Sequence, residues 1–113
     1  WKLTLGDYAW VGDDAVLYTL GEITIGANSV VSQKCYLCTG SHDFMSQHFD
    51  ITASPVAIGE KCWLATDVFV APGVSVGDGT VVGARSSVFK SLPANKICRG
   101  NPAVVIRERV ETD

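Results

Sequence analysis

An aliphatic residue returns every sixth position along this chain, and that period restricts the fold more than any other feature. Leu5, Val11 and Leu17 are followed by Ile25, Val31 and Leu37, then by an unbroken run of Ile58, Leu64, Val70, Val76, Val82 and Val88. Glycine often follows the anchor, at Gly6, Gly12, Gly26, Gly59, Gly77 and Gly83. Four residues after the anchor stands something small or branched: Ala9, Ala15, Ser29, Cys35, Ser41, Cys62, Val68, Val74, Thr80 or Ser86. The small residue and the next anchor lie two apart, so on a strand both face one side. The position after the anchor is expected to turn, with glycine supplying the backbone freedom of a corner. A short strand and a corner every six residues wind into a coil of triangular cross-section, about eighteen residues per turn. A helix fits poorly, because a period of six sets successive anchors about 240° apart and makes no stripe. Repeated glycine and many β-branched residues oppose it further.

The twelve anchors predict four coils of an all-β solenoid in a single domain spanning residues 1–113. Two register breaks fall between coils: two extra residues near Thr19 to Glu22, and an inserted loop at 43–55, from Asp43 to Pro55. After Leu92-Pro93 the chain leaves the pattern, Gly100-Asn101-Pro102 reads as a turn, and Ile106 to Glu111 as a short strand or helix.

The residue before each anchor points outward. One face, the tryptophan face, presents Trp10, Val30, Trp63 and Val81; a second, the phenylalanine face, presents Val16, Tyr36, Phe69 and Ser87. Apolar ladders of this kind mark a partner or ligand surface, and self-association into a homotrimer is expected. The third face is polar, and His42 is placed on it, outward because it follows an inward Ser41. It opens the only long insertion, and such loops are usually functional or disordered.

The net charge of −3 gives nothing to neutralise a row of phosphates, so a nucleic-acid partner is not expected. No apolar run reaches the roughly 20 residues of a membrane span, and no signal-like start is present, so a soluble, cytoplasmic chain is expected. The sequence opens at Trp1, already in mid-pattern, and further N-terminal sequence is expected. Cys35-x-x-Cys38 lacks the second pair that a zinc site needs, so Cys35, Cys38, Cys62 and Cys98 are read as small apolar fillers, with no metal.

The repeat resembles that of the hexapeptide-repeat transferases, which implies a left-handed parallel β-helix; spacing alone does not set the hand. Thr39-Gly40-Ser41-His42-Asp43, the loop, and then Val56-Ala57-Ile58-Gly59-Glu60-Lys61-Cys62-Trp63-Leu64-Ala65 resemble the xenobiotic and sugar O-acetyltransferase branch. Val70-Ala71-Pro72-Gly73-Val74, Gly83-Ala84 and Gly100-Asn101-Pro102-Ala103 are similar too, and within that branch the likeness is nearest to the acetyltransferases of colanic acid biosynthesis. The resemblance implies transfer of acetyl from acetyl-CoA to a sugar hydroxyl of an exopolysaccharide. It implies His42 as catalytic base and Trp63 as an aromatic lining the site. Thr66 falls where a backbone N–H faces the thioester oxygen, Ala84 where the backbone meets the pantetheine arm, and Lys90 and Arg107 where basic residues meet the nucleotide of coenzyme A. Arg85 in place of the usual Gly, and Phe89 in place of a common Thr, depart from the pattern.

The residue types suit the chemistry. Imidazole, with an ordinary pKa of about 6.5, can take the proton of a hydroxyl as it attacks. N–H donors stabilise the oxyanion where it forms. Asp43 could orient the imidazole as carboxylates do elsewhere, or simply start the loop. A carbonic-anhydrase-like prism would need three His, and this chain has His42 and His48 alone. A non-catalytic β-helix that serves in assembly or binding is the other reading, and it gives no reason for His42 at the loop.

Overall fold

The computed structural model describes residues 2–110. The chain enters through β1 (Leu3–Leu5), β2 (Trp10–Val11) and β3 (Val16–Tyr18), one strand for each side of a triangle. The same order repeats in β4 (Ile23–Ile25), β5 (Val30–Val31) and β6 (Tyr36–Cys38). An arm, β7 (Gly40–His42) and β8 (Ile51–Ala53), then interrupts the winding. It resumes with β9 (Val56–Ile58), β10 (Trp63–Leu64) and β11 (Phe69–Val70), then β12 (Ser75–Val76), β13 (Val81–Val82) and β14 (Ser87–Val88). The chain ends in β15 (Lys96–Gly100) and β16 (Ala103–Glu108).

Parallel pairing stacks like on like. The polar face is β1-β4-β9-β12, the phenylalanine face β14-β11-β6-β3, and the tryptophan face β16-β15-β13-β10-β5-β2. Each anchor sits on the corresponding anchor of the next coil: Leu64 pairs with Val31 and with Val82, and Val70 with Leu37 and Val88. The anchors from Ile25 to Val88 fill the axis of the prism and are buried. This is the left-handed parallel β-helix, and no helix occurs among the described residues.

The small inward residues stitch coils as well as fill space. Ser29 Oγ donates to the Gly59 carbonyl at 2.6 Å and accepts the Cys62 N–H at 3.0 Å. Thr80 Oγ1 does the same between the Pro93 carbonyl (2.6 Å) and the Lys96 N–H (3.2 Å). Cys35 and Cys62 aim their thiols at the carbonyls of Ala65 and Gly77, both at 3.1 Å. A buried hydroxyl thus pays no desolvation penalty, because it pairs with backbone that the corner leaves free.

Four expectations are corrected. The glycine after the anchor is not the residue with unusual backbone angles; the left-handed φ falls two positions later, at Asn28 (60°), Lys61 (56°) or Arg85 (61°). Glycine is needed because coils touch there: a Cβ on Gly26 would lie 2.6 Å from the Glu60 nitrogen. Arg85 therefore occupies an ordinary corner position. Second, the pattern does not stop at Leu92. Leu92 bridges to Val76, and six residues on Cys98 pairs with Val82 as a buried anchor of a further tryptophan-face strand, β15. Third, the C-terminal segment is a strand that starts earlier, at Ala103, and folds back antiparallel on β15 through the Gly100–Pro102 turn; Glu111 lies outside the described residues. The fourth correction concerns the insertion.

Candidate active site

The insertion is a β-hairpin that projects from the corner between the phenylalanine and polar faces. Gly40 pairs with Ala53, Ser41 with Thr52 and His42 with Ile51, antiparallel. It therefore begins three residues before Asp43. Ser41 is exposed rather than inward, and His42 lies on the arm, not on the polar face. The period-two rule placed His42 outward for the wrong reason: the pairing partner after Thr39 is the arm itself, not the neighbouring coil. Thr39, fully buried, anchors the root. Its hydroxyl accepts the Gly21 N–H at 2.8 Å and donates to the Tyr18 carbonyl. The coils on either side pair directly, Ile23 with Val56, as though the arm were absent.

His42 is the last residue of β7, exposed, with Nδ1 2.9 Å from the Phe49 carbonyl oxygen. A carbonyl only accepts, so Nδ1 carries the proton in this contact, and in the neutral ring Nε2 holds the lone pair. The partner of Nδ1 is the Phe49 carbonyl, while Asp43 Oδ1 accepts the Met45 N–H at 2.9 Å at the tip of the arm. His48 sits within that tip, its backbone N–H on Ser46 Oγ. Phe44, Met45, Phe49 and Ile51 are all exposed along the arm.

Thr66 and Ala84 are brought together at a different edge, the corner between the tryptophan and phenylalanine faces. The Thr66 hydroxyl donates to the Gln33 carbonyl at 3.1 Å, and its own carbonyl accepts the Arg85 N–H at 2.9 Å. Neither the Thr66 nor the Ala84 amide donates to another backbone group among the described residues. Two stacked coils thus present free N–H donors at one corner. Arg85 leans toward Asp67, 4.0 Å away on the coil below; both are exposed, so this pair adds little stability.

Trp63 lies on the tryptophan face, half exposed, with its indole N–H on Ser32 Oγ at 3.0 Å. Lys90 is exposed beyond β14, and Arg107 is exposed on β16 opposite Ile97. Phe89 does not stand alone beside Lys90. It extends an aromatic column, with Tyr36 and Phe69 at 5.8 Å and Phe69 and Phe89 at 5.9 Å between ring centres. His42 and Thr66 stand at opposite edges of the phenylalanine face, so one chain does not bring them together. Among the described residues no pocket is formed by a single chain, and no group of three or more His, Cys, Asp or Glu converges as a metal site would.

No model of a known protein family matches the chain. Individual relatives do. It is 85% identical, over all 113 residues, to WcaF of Escherichia coli K12, whose name assigns it as an acetyltransferase of colanic acid biosynthesis; the match covers 62% of that protein. It is 33% identical over 94 residues to the galactoside O-acetyltransferase of Escherichia coli K12, covering 80% of this chain and 46% of that one. These relatives are named as acetyltransferases. Among solved structures, a maltose O-acetyltransferase of Clostridium difficile 630 superposes with a TM-score of 0.93 at 29% identity, over 98% of this chain and 61% of that one. The hexapeptide-repeat acetyltransferase VCA0836 of Vibrio cholerae, solved with acetyl coenzyme A, superposes with a TM-score of 0.92 at 25% identity, over 97% and 62%. The chain spans about three-fifths of the length of WcaF. No helix among its described residues is long and apolar enough to cross a membrane.

Proposed function

We propose that this chain is the catalytic prism of an acetyl-CoA-dependent O-acetyltransferase that acts on a sugar hydroxyl in colanic acid type exopolysaccharide synthesis, in the cytoplasm where its donor is made. The observation that carries the reading is the His42 imidazole held by its Nδ1–H on the Phe49 carbonyl, with Nε2 free at the side of an exposed arm. Nε2 takes the acceptor proton as the hydroxyl oxygen attacks the thioester carbonyl carbon. The new C–O bond forms, the carbonyl becomes an oxyanion, and the Thr66 N–H would receive that charge. Collapse breaks the C–S bond, and the imidazolium returns its proton to the leaving thiolate of coenzyme A. No covalent enzyme intermediate is needed.

The separation of His42 from Thr66 and Ala84 supports a site shared between copies. Cyclic packing of three prisms sets the arm of one against the Thr66 edge of the next and covers the Trp and Phe ladders. Ala84 would meet the pantetheine arm there, Trp63 would line the cleft, and Lys90 and Arg107 would meet the phosphates. Asp43 serves the arm rather than the proton. The test is acetyl-CoA consumption by the full-length protein across a panel of sugar acceptors. Turnover supports the reading, while absence of both turnover and coenzyme A binding favours a non-catalytic assembly module.

A further inference from the structure

We infer that Phe49 is a positioning residue: its left-handed backbone, not its ring, selects the tautomer of His42. This rests on the reading of His42 as the base and deepens it. Phe49 has φ of 50°, a region that residues with a Cβ rarely enter. Its neighbours hold it there. The Phe49 N–H donates to the Ser46 carbonyl at 3.3 Å, and the Asp50 N–H to Ser46 Oγ at 3.3 Å. The Asp50 carbonyl accepts the Asp43 N–H at 2.8 Å, closing the arm immediately beside His42. Between these fixed points Phe49 combines the positive φ with the carbonyl that meets Nδ1 at 2.9 Å. On this inference an extended residue 49 reroutes the chain between Ser46 and Asp50 and moves that oxygen off the imidazole. The consequence is chemical. Neutral imidazole in water favours the proton on Nε2, the wrong nitrogen for a base that must keep Nε2 open. The arm reverses that preference by offering one acceptor to Nδ1.

Phe49 is more than half exposed, at 59%, and the bond to Nδ1 comes from its backbone carbonyl rather than its ring. Two substitutions therefore separate backbone from ring. Phe49→Asn removes the ring and keeps a residue that tolerates the left-handed region. Phe49→Val also removes the ring, but its branched Cβ excludes that region. The experiment is nitrogen-15 NMR of the imidazole in the full chain, with His48→Gln so that His42 gives the single ring signal, recorded at a pH where imidazole is neutral. The parent and Phe49→Asn should show the Nδ1–H form, and Phe49→Val a shift toward Nε2–H. In acetyl transfer, Phe49→Val should lose at least about tenfold in kcat relative to Phe49→Asn, with KM for acetyl-CoA unchanged. Equal tautomers in the two variants, or loss of Nδ1–H in both, overturns the inference. That NMR result does not depend on catalysis, so it stands apart from failure of the base assignment, which His42→Ala alone decides.

Discussion

Ser54 donates its N–H to the Thr39 carbonyl at 2.9 Å, so the two ends of the arm meet on one rung of the prism. A chain that leaves a coil and returns to the same rung leaves the stacking unchanged. Replacing residues 40–53 by two glycines, the length of a tight hairpin connection, should therefore preserve the denaturation midpoint. Acetyl transfer should vanish, since the arm carries His42. A large fall in the midpoint would show that the arm braces the coils.

The close approach at Gly26 predicts an asymmetry between neighbouring positions. Gly26→Ala drives a Cβ into the backbone of the next coil and should cost at least about 1–3 kcal/mol, the range of overpacked sites. Asn28→Gly, at a left-handed corner, should stay within about 0.5 kcal/mol. Urea titration of both variants measures the difference. Equal costs would restore conformational freedom as the reason for the glycine.

Burial raises the thiol pKa of Cys35, Cys62 and Cys98 by desolvation, against partial relief from backbone N–H groups at the first two and the charge of Lys96 at the third. The folded chain then holds its protons where the unfolded chain releases them. Stability from these groups is complete below the ordinary thiol range and is lost as pH rises through it. Under reducing conditions, the denaturation midpoint should fall between pH 7.5 and about 10. The fall should be shallower in a Cys35→Ala, Cys62→Ala variant relative to its own value at pH 7.5. Identical slopes would refute the thiol contribution.

The two apolar ladders predict a closed trimer. Light scattering on the purified chain should give three times its mass at micromolar concentration. Trp63→Glu, a charge on the half-exposed tryptophan face, should shift that mass toward the monomer. A stable monomer in the parent would defeat the shared-site account, and a dimer would require another seam.

The coils were legible because one period of six specifies both the strand and the corner, and the outward ladders followed from alternation. Three things were not. Cys98 is hidden in the sequence because the other anchors are aliphatic, although it completes a six-residue step from Leu92 and is buried as deeply as Val82. The role of the glycines needed the neighbouring coil, which lies some twenty residues away in sequence. The arm defeated the parity rule because antiparallel pairing within the insertion replaced the parallel pairing that the rule assumes. Its setting beside the loop marks His42 as a candidate, whereas its carbonyl partner leaves no mark in side-chain identity, being a backbone acceptor seven residues away.

The proposed base is His42 and not His48, and the direct measurement compares His42→Ala with His48→Ala in one acetyl-transfer assay. Loss of a general base costs about 10²- to 10⁴-fold in rate. His42→Ala should lower kcat by that order with coenzyme A affinity nearly unchanged, and His48→Ala should keep near-parental kinetics. Near-normal kcat in the first variant, or equal damage in the second, would contradict it.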